Sequence, residues 1–309
     1  MQFSNFKSIK LSKIGFGCAS LSGSGKGYGF GDISDRDASK LVHEAIDLGI
    51  NLFDNAPIYG FGEAERRLGL AIESRRSDAF IVSKCGVNWH ENSRVNMTNE
   101  PELCLSQLHN SLRRLKSDYI DLYMVHWPDK RVEIEKTLEV LFRAKKEGKI
   151  RFIGLCNTNP EDLGSALSMG EIDCLQSEFN LFNNGFDIID ETIKNSKKDK
   201  LYKMAWGTFD KGILTGSVKT DSVFDKEDCR NHAPWWKKSD WKKRVIRFDK
   251  ALSYLRENNI DPAKFCMAYN LQFMDSTLCG FKSSKHLESV KDISLDPIHF
   301  ENVLRLVDV

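Results

Sequence analysis

Four side chains of different chemical types stand where predicted strands end. Asp54 and Tyr59 lie in the stretch Phe-Asp-Asn-Ala-Pro-Ile-Tyr-Gly at 53–60, Lys84 ends the next predicted strand, and His126 ends the one after. A free tyrosine has a pKa of about 10, and a nearby ammonium group lowers it, which makes the hydroxyl a better proton donor. An aspartate would hold the lysine, and a neutral histidine would donate a hydrogen bond to a carbonyl oxygen. Together these groups are suited to protonating a carbonyl oxygen as hydride reaches its carbon.

Each of these residues also has a purely structural explanation. Asp54 and Lys84 are of types that form ordinary salt bridges, His126 beside Trp127 is typical of a half-buried ring, and Tyr59 alone would cap the core. Working residues of a parallel barrel lie at the C-terminal ends of its strands. The joint placement of the four on three neighbouring strand ends is therefore what favours catalysis.

The elements that position them alternate along the chain. Short β-rich runs are each followed by a segment with helical periodicity. The predicted strands are 13–19, 50–54, 80–84, 119–126, 150–155, 174–178, 202–206 and 276–280, and the predicted helices lie near 35–48, 62–74, 100–115, 133–147, 160–168, 186–196, 244–258 and 284–292, with a last helix near 298–307.

Several helices carry start and stop signals. Ser34 is a predicted N-cap and Gly49 a predicted residue just past the C-terminus of the first helix. Gly148 ends the fourth helix in the same way, and Asn159-Pro160 begins the fifth with proline in its first turn.

Eight β-then-α units predict an α/β fold, a (β/α)8 TIM barrel formed as one domain by residues 1–309. Residues 1–12 would form a short hairpin under the barrel, and residues 207–243 a long loop after strand seven. A doubly wound open sheet is the alternative, but it requires a phosphate loop that the glycine-rich stretch 23–31 does not fit. We interpret that stretch as a mobile loop over the barrel mouth.

Composition limits the function classes. The 309 residues carry a net charge of +1, so charge alone does not favour nucleic acid, a membrane or a polyanion as partner. Residues 1–14 contain no apolar signal region and no apolar run approaches the ~18 residues of a membrane span, so we expect a cytoplasmic protein. The eight cysteines form no C-x-x-C pair, which favours buried or half-buried free thiols and no metal site.

The chain resembles the aldo-keto reductases in two sequence motifs. The stretch 53–60 is similar to one family motif, and residues 111–128, with Asp118-Tyr119-Ile120-Asp121-Leu122-Tyr123 and Val125-His126-Trp127-Pro128, are similar to a second. Within the family the chain resembles bacterial NADPH-dependent reductases, which are related to the β subunits of potassium channels. The resemblance implies that Tyr59 is the general acid, that Lys84 lowers its pKa, that Asp54 pairs with Lys84, and that His126 orients the substrate carbonyl.

The resemblance also implies an NADP(H) site, with NAD(H) not excluded. Asn157 and Gln176 would bind the nicotinamide carboxamide, and Trp206 would stack on its ring. The remaining implied cofactor contacts are Gly17, Cys156, Gly207, Thr208, Phe209, Leu214, Gly280, Lys282 and His286, the last three at the adenosine end. Tyr28, Trp89 and Trp127 are candidates for the substrate pocket of a small carbonyl compound.

Two departures from the family pattern weaken the cofactor contacts. Cys156 stands where the family usually has serine, and a thiol donates hydrogen bonds weakly. Lys282 stands near the place of a common arginine, and it offers a point charge without the bidentate fork. We therefore expect a weaker hold on the carboxamide, and a site for NADP(H) that does not exclude NAD(H).

Two alternatives to a carbonyl reductase remain. The chain would also suit an NADPH-binding regulatory subunit with little turnover, or a sugar or polyol dehydrogenase running in the oxidative direction. The segment 235–244 interleaves tryptophans with basic residues, as single-stranded nucleic-acid binders do. Because the net charge is near zero, we favour packing of the long loop onto the barrel, and we predict no nucleic-acid partner.

Overall fold

Eight parallel strands form a closed barrel in the computed structural model, which describes residues 1–24, 27–91, 93–196 and 201–307. The barrel strands are β1 (Ile14–Gly17), β2 (Leu52–Asp54), β3 (Phe80–Cys85), β4 (Ile120–Val125), β5 (Ile150–Cys156), β6 (Cys174–Asn180), β7 (Tyr202–Trp206) and β8 (Ser276–Cys279). Each pairs with the next, β8 pairs with β1, and β5 pairs with β6, which closes the ring. The predicted (β/α)8 barrel is confirmed. Gly25 and Lys26, in the stretch predicted to cover the mouth, lie outside the described residues.

Helices surround the barrel. They are α1 (Asp35–Asp47), α2 (Glu63–Ala71), α3 (Pro101–Leu115), α4 (Ile134–Lys146), α5 (Pro160–Met169), α6 (Asp190–Asn195), α7 (Cys229–His232), α8 (Pro234–Lys237), α9 (Trp241–Glu257), α10 (Pro262–Asn270), α11 (Ser284–Glu288) and α12 (Pro297–Leu306). A hairpin of Val87–Trp89 and Val95–Met97 follows β3, and Asn183–Asn184 extends the sheet beside β6. The described residues contain no helix that is long and apolar enough to cross a membrane.

The predicted helix signals are present. The Ser34 hydroxyl accepts a hydrogen bond from the Asp37 amide at 3.1 Å, and the Asn159 side chain accepts one from the Asp162 amide at 2.8 Å. These contacts satisfy amides that have no partner within the helix. Gly49 and Gly148 follow α1 and α4 with φ of 87° and 77°, a left-handed conformation that glycine adopts without strain.

The connection between β7 and β8 differs from the prediction. The expected loop 207–243 contains the short helices α7 and α8, and α9 begins at Trp241 rather than near 244. The helix that leads into β8 is α10, which the sequence analysis missed. Residues 265–270 of α10 are all buried, so the segment lacks the one-sided apolar pattern by which surface helices are recognised. The eighth predicted helix is also shorter, since α11 ends at Glu288 instead of 292.

The predicted N-terminal hairpin closes the floor of the barrel. It consists of Phe3–Phe6 and Ile9–Ser12. The Phe6 ring meets those of Phe80, Phe152 and Tyr202 edge-on, with centroids 5.4, 4.9 and 5.1 Å away. Because this end is sealed by packed rings, the accessible end of the barrel is the mouth at the C-terminal ends of the strands.

The core lies partly inside the barrel and partly between the strands and the helices. All eight cysteines are buried free thiols, as expected from their spacing. Their burial makes them small apolar contributors to packing.

Candidate active site

The centre of the mouth is a buried ion pair between β2 and β3. The Lys84 ammonium donates to both carboxylate oxygens of Asp54, at 2.8 Å each, and to the backbone oxygen of Asn55 at 2.9 Å. Lys84 is 0% exposed and Asp54 is 3% exposed. Burial is the largest influence on the pKa of Lys84 and acts to lower it, but the charge and hydrogen bonds of Asp54, together with weaker contributions from Tyr59 and Cys156, leave the pKa raised. The ammonium is therefore charged, and its three donors are all used.

Tyr59 and His126 lie beside this pair. The Lys84 nitrogen is 5.4 Å from the centroid of the Tyr59 ring, and the Tyr59 and His126 rings meet edge-on at 6.1 Å. Burial together with the Lys84 charge lowers the pKa of His126 well below its ordinary value, so the imidazole is neutral. The four residues predicted to act together do lie together.

The pKa of Tyr59 differs from the expected one. Lys84 was expected to lower it, and the Lys84 charge does act in that direction. Burial of the hydroxyl outweighs it, so the pKa of Tyr59 is raised above its ordinary value. Tyr59 consequently keeps its proton throughout the neutral range, which is the form a proton donor needs.

A second hydrogen-bonded group adjoins the first. The Gln176 amide donates to Asp54 at 2.8 Å, and the Cys156 thiol donates to the Gln176 oxygen at 3.2 Å. Asn157 donates to the His126 carbonyl at 3.2 Å, and its oxygen accepts from the Trp206 indole at 2.9 Å. Gln176, Asn157 and Trp206, which were expected around a nicotinamide, thus lie together beside the ion pair.

The turn after β7 contains four of the predicted cofactor contacts, and their side chains differ in how far they are available to a ligand. Gly207 has φ of +76°, and its carbonyl accepts from the Asn180 amide at 2.9 Å. The Thr208 hydroxyl is committed to β8, where it bonds Thr277 and the Leu278 carbonyl at 2.7 Å each. The Phe209 side chain packs against the main core and that of Leu214 is fully buried within it. For Thr208 and Leu214, only the backbone is therefore available to line a groove at the mouth, whereas the Phe209 side chain is half-buried.

The residues assigned to an adenosine end lie beside β8. Gly17 is the last residue of β1 and lies next to Cys279 and Gly280, and an added Cβ on Gly17 would sit 3.4 Å from the Cys279 backbone. Gly280 is exposed. The Lys282 ammonium donates to the Phe30 and Gly31 carbonyls at 2.7 and 2.9 Å. The ring of His286 accepts from the Lys282 amide at 3.3 Å.

Aromatic side chains line the opposite side of the mouth. Tyr28, Trp89 and Trp127 pack against one apolar cluster together with Tyr59 and Phe61. Trp89 stacks on Phe61 with centroids 4.9 Å apart, and Trp127 meets Trp206 at 6.4 Å. The three candidate substrate residues thus pack on the same apolar cluster as the predicted proton donor.

Lys211 is a residue of the mouth that the sequence analysis missed. Its ammonium bonds Glu178 at 2.5 Å and lies 5.5 Å from the Trp206 ring and 5.9 Å from the Trp235 ring. Lys211 and the preceding Asp210 both have positive φ, at 56° and 40°. In the sequence, Lys211 is one lysine within a long predicted loop, and no motif or spacing indicated that it would lie at the mouth.

The tryptophans of the segment 235–244 pack against other apolar side chains, which is the interpretation that we favoured over nucleic-acid binding. Trp236 is buried and stacks on Trp241 at 5.2 Å, and Phe224 meets both rings edge-on. These rings form a small apolar cluster under the long loop. No group of three or more His, Cys, Asp or Glu side chains within the described ranges is arranged to hold a metal ion.

Comparison with known proteins agrees with this architecture. Residues 13–306 match the profile of the Aldo/keto reductase family. The aldo-keto reductase YhdN of Bacillus subtilis is 32% identical over 291 residues, which cover 93% of this chain and 86% of that protein. The NADH-specific methylglyoxal reductase of Escherichia coli is 31% identical over 228 residues, covering 70% of this chain and 69% of that protein.

Among solved structures, a glycerol dehydrogenase of Gluconobacter oxydans superposes with a TM-score of 0.82 at 27% identity, covering 99% of this chain and 94% of that one. The family match spans nearly the whole barrel, including every strand that contributes to the mouth. The chain therefore belongs to the aldo/keto reductase family, whose members are oxidoreductases acting on carbonyl groups.

Proposed function

We propose that this protein reduces the carbonyl group of small aldehydes or ketones with a nicotinamide cofactor, and that Tyr59 is the proton donor. The observation that carries the proposal is the fully buried Lys84 ammonium, held by Asp54 beside a protonated Tyr59 and a neutral His126. A carbonyl oxygen in contact with Tyr59 and His126 would meet two hydrogen-bond donors. Such preorganised donors stabilise the negative charge that develops on that oxygen during reduction.

The roles follow from the protonation states. Tyr59 donates its proton to the carbonyl oxygen, and the adjacent Lys84 charge stabilises the phenolate that remains. Asp54 keeps Lys84 in place, since all three ammonium donors are fixed by Asp54 and the Asn55 carbonyl. His126, with its pKa lowered, donates a hydrogen bond without carrying a charge.

The residues of the second group fit a nicotinamide. The bound cofactor would supply the hydride. Asn157 and Trp206 are only half-buried, and the Asn157 and Gln176 oxygens each accept a single side-chain bond, so each keeps a free lone pair for an amide. A half-buried indole such as that of Trp206 is suited to stacking against a planar ring.

We propose NADP(H) as the preferred cofactor, with NAD(H) also admitted. A relative from Schizosaccharomyces pombe, 29% identical over 281 residues, is named an NADP(+) aldo-keto reductase, whereas the Escherichia coli relative is named NADH-specific. The lysine near the adenosine end would favour the extra phosphate of NADPH, but a lysine provides a single point charge.

The test compares the parent protein with Tyr59→Phe. Quenching of tryptophan fluorescence by NADPH and NADH measures binding, and nucleotide oxidation with a panel of small aldehydes and ketones measures turnover. We expect Tyr59→Phe to bind nucleotide like the parent and to lose about 10²- to 10⁴-fold in turnover, the usual contribution of a general acid. If the parent binds nucleotide but its turnover equals that of Tyr59→Phe, the reductase proposal fails in favour of the regulatory alternative.

Oxidation of a polyol is a second candidate, favoured by the similarity to a glycerol dehydrogenase. The same residues serve it, with Tyr59 acting as the base in its phenolate form, which the Lys84 charge stabilises. Incubation of the parent with NADP⁺ or NAD⁺ and glycerol or another polyol would give nucleotide reduction that Tyr59→Phe lacks. Absence of that reduction, together with turnover of aldehydes, would exclude it.

A further inference from the structure

A short backbone segment, residues 27–31, connects the two sides of the mouth, and we call it the strap. At one end, the Gly27 carbonyl accepts a hydrogen bond at 3.0 Å from the amide of Gly60, the residue after Tyr59. In the middle, the Gly29 carbonyl accepts from the Cys229 amide at 2.9 Å. At the other end, the Phe30 and Gly31 carbonyls accept from the Lys282 ammonium. Four of the five strap carbonyls are thus bonded to three different segments.

The strap sits close to the loop that carries Tyr59. A Cβ added to Gly27 would lie 2.1 Å from the Ile58 carbonyl, so only glycine fits there. Tyr28, the next strap residue, has φ of +65° and packs in the aromatic cluster that contains Tyr59. Its ring also lies 6.0 Å from that of Trp235 on the long loop. A displacement of the strap would therefore move a wall of the substrate pocket.

Lys282 is held differently from the other cations of this region. Arg230, whose guanidinium lies over the Phe30 ring, is paired with Asp228 at 2.7 Å. Lys282 is half-buried and forms no ion pair within 4 Å anywhere in the described part of the chain. Its two hydrogen bonds end on strap carbonyls. Bonds from a charged donor are roughly twice as strong as neutral ones, so Lys282 is the strongest single attachment at that end of the strap.

We propose that Lys282 is a positioning residue for the carbonyl substrate. It does not contact the substrate, but it holds the strap and thereby the Tyr28 side chain in the wall of the substrate pocket. The inference rests on the proposed function and extends it, because it couples the adenosine end of the groove to the substrate pocket. An ammonium has three donors, so Lys282 has one left for an anionic group of the nucleotide while it holds the strap. A residue that only recognised the additional phosphate of NADPH would have no effect when the nucleotide is NADH.

The experiment compares Lys282→Met with Lys285→Met. Methionine keeps a long apolar stem without the ammonium, and Lys285 is an exposed lysine three residues away, so the control makes the same change in charge. With NADH as the nucleotide, we expect Lys282→Met to raise the KM for the carbonyl substrate about tenfold while kcat changes much less. Lys285→Met should match the parent.

The second readout needs neither nucleotide nor turnover. Hydrogen exchange of the nucleotide-free protein reports on the Gly60 and Cys229 amides, which are both bonded to the strap. We expect at least tenfold faster exchange in Lys282→Met, because the lost charged hydrogen bonds are each worth more than a tenfold factor.

The outcomes separate the two proposals. Unchanged exchange and an unchanged KM with NADH, with only NADPH binding weakened, would overturn the strap inference and leave the reductase intact. If the parent shows no turnover with any carbonyl compound, the proposed function fails. Faster exchange in Lys282→Met would then still support the attachment of the strap, and unchanged exchange would refute it.

Discussion

Replacing Lys84 with methionine tests whether the Asp54 carboxylate depends on its buried partner. The substitution removes three hydrogen bonds of 2.8 to 2.9 Å and leaves Asp54, which is 3% exposed, with the Gln176 amide at 2.8 Å as its remaining side-chain donor. Breaking a buried ion pair from one side costs about 3–5 kcal/mol. We expect a loss of this size in the free energy of unfolding at pH 8, and at least about a 100-fold loss of reductase turnover.

The double variant Lys84→Met/Asp54→Leu is the matched control. It removes both charges and fills the space with apolar atoms, which is often neutral for a buried pair. The Gln176 amide then loses its acceptor, at a cost of about 1–3 kcal/mol. We therefore expect the double variant to be more stable than Lys84→Met, although equally inactive.

Denaturant unfolding followed by tryptophan fluorescence at pH 8 and pH 5 measures these differences. In Lys84→Met, protonation relieves the stranded Asp54 carboxylate, so folding favours proton uptake and the deficit becomes smaller as the pH falls. A deficit below about 1 kcal/mol, or a double variant no more stable than the single one, would refute the view that Lys84 neutralises a buried charge.

Two further predictions concern neighbouring groups. The pKa of His126 is held well below its ordinary value, so below about pH 6.5 the unfolded chain binds a proton that the folded chain does not. The stability advantage of the parent over His126→Gln should consequently shrink by about 1.4 kcal/mol between pH 7.5 and 5.5, measured by denaturant unfolding; a constant difference would contradict the lowered pKa. Cys156→Ser replaces a weak donor to Gln176 with a strong one, so NADPH affinity in a fluorescence titration should rise about threefold to tenfold. Unchanged or weaker binding would show that position 156 does not serve the carboxamide.

The barrel was predictable because its strands and most helices have strong local signals. The run of eight apolar strands and the caps at Ser34 and Asn159 are readable without tertiary information. Helix α10 was not predicted, because its buried residues follow one another without amphipathic spacing. Its start carries the same kind of signal as α5, since Asp261 caps it and Pro262 occupies its first turn.

The catalytic group was predictable for a related reason. Asp54 ends β2, Lys84 is the last residue but one of β3, and His126 directly follows β4. The closure of the barrel brings these strand ends together. The strap was not predictable, because it is attached through backbone carbonyls to segments as much as 252 residues away. The placement of Lys211 likewise depends on two successive left-handed residues that are not glycine, a conformation that residue type does not announce.

The hairpin at the floor of the barrel has a consequence for synthesis. Ser4 bonds the Tyr202 hydroxyl, which lies 198 residues further along the chain, at 2.6 Å. At a translation rate of 5–20 residues per second, about 10–40 s pass between the appearance of the two residues. During this interval Phe6 and Leu11, both buried in the finished barrel, have no complete surface to pack on. The hairpin of the nascent chain therefore exposes an apolar surface, of the kind that chaperones bind, until β7 is made.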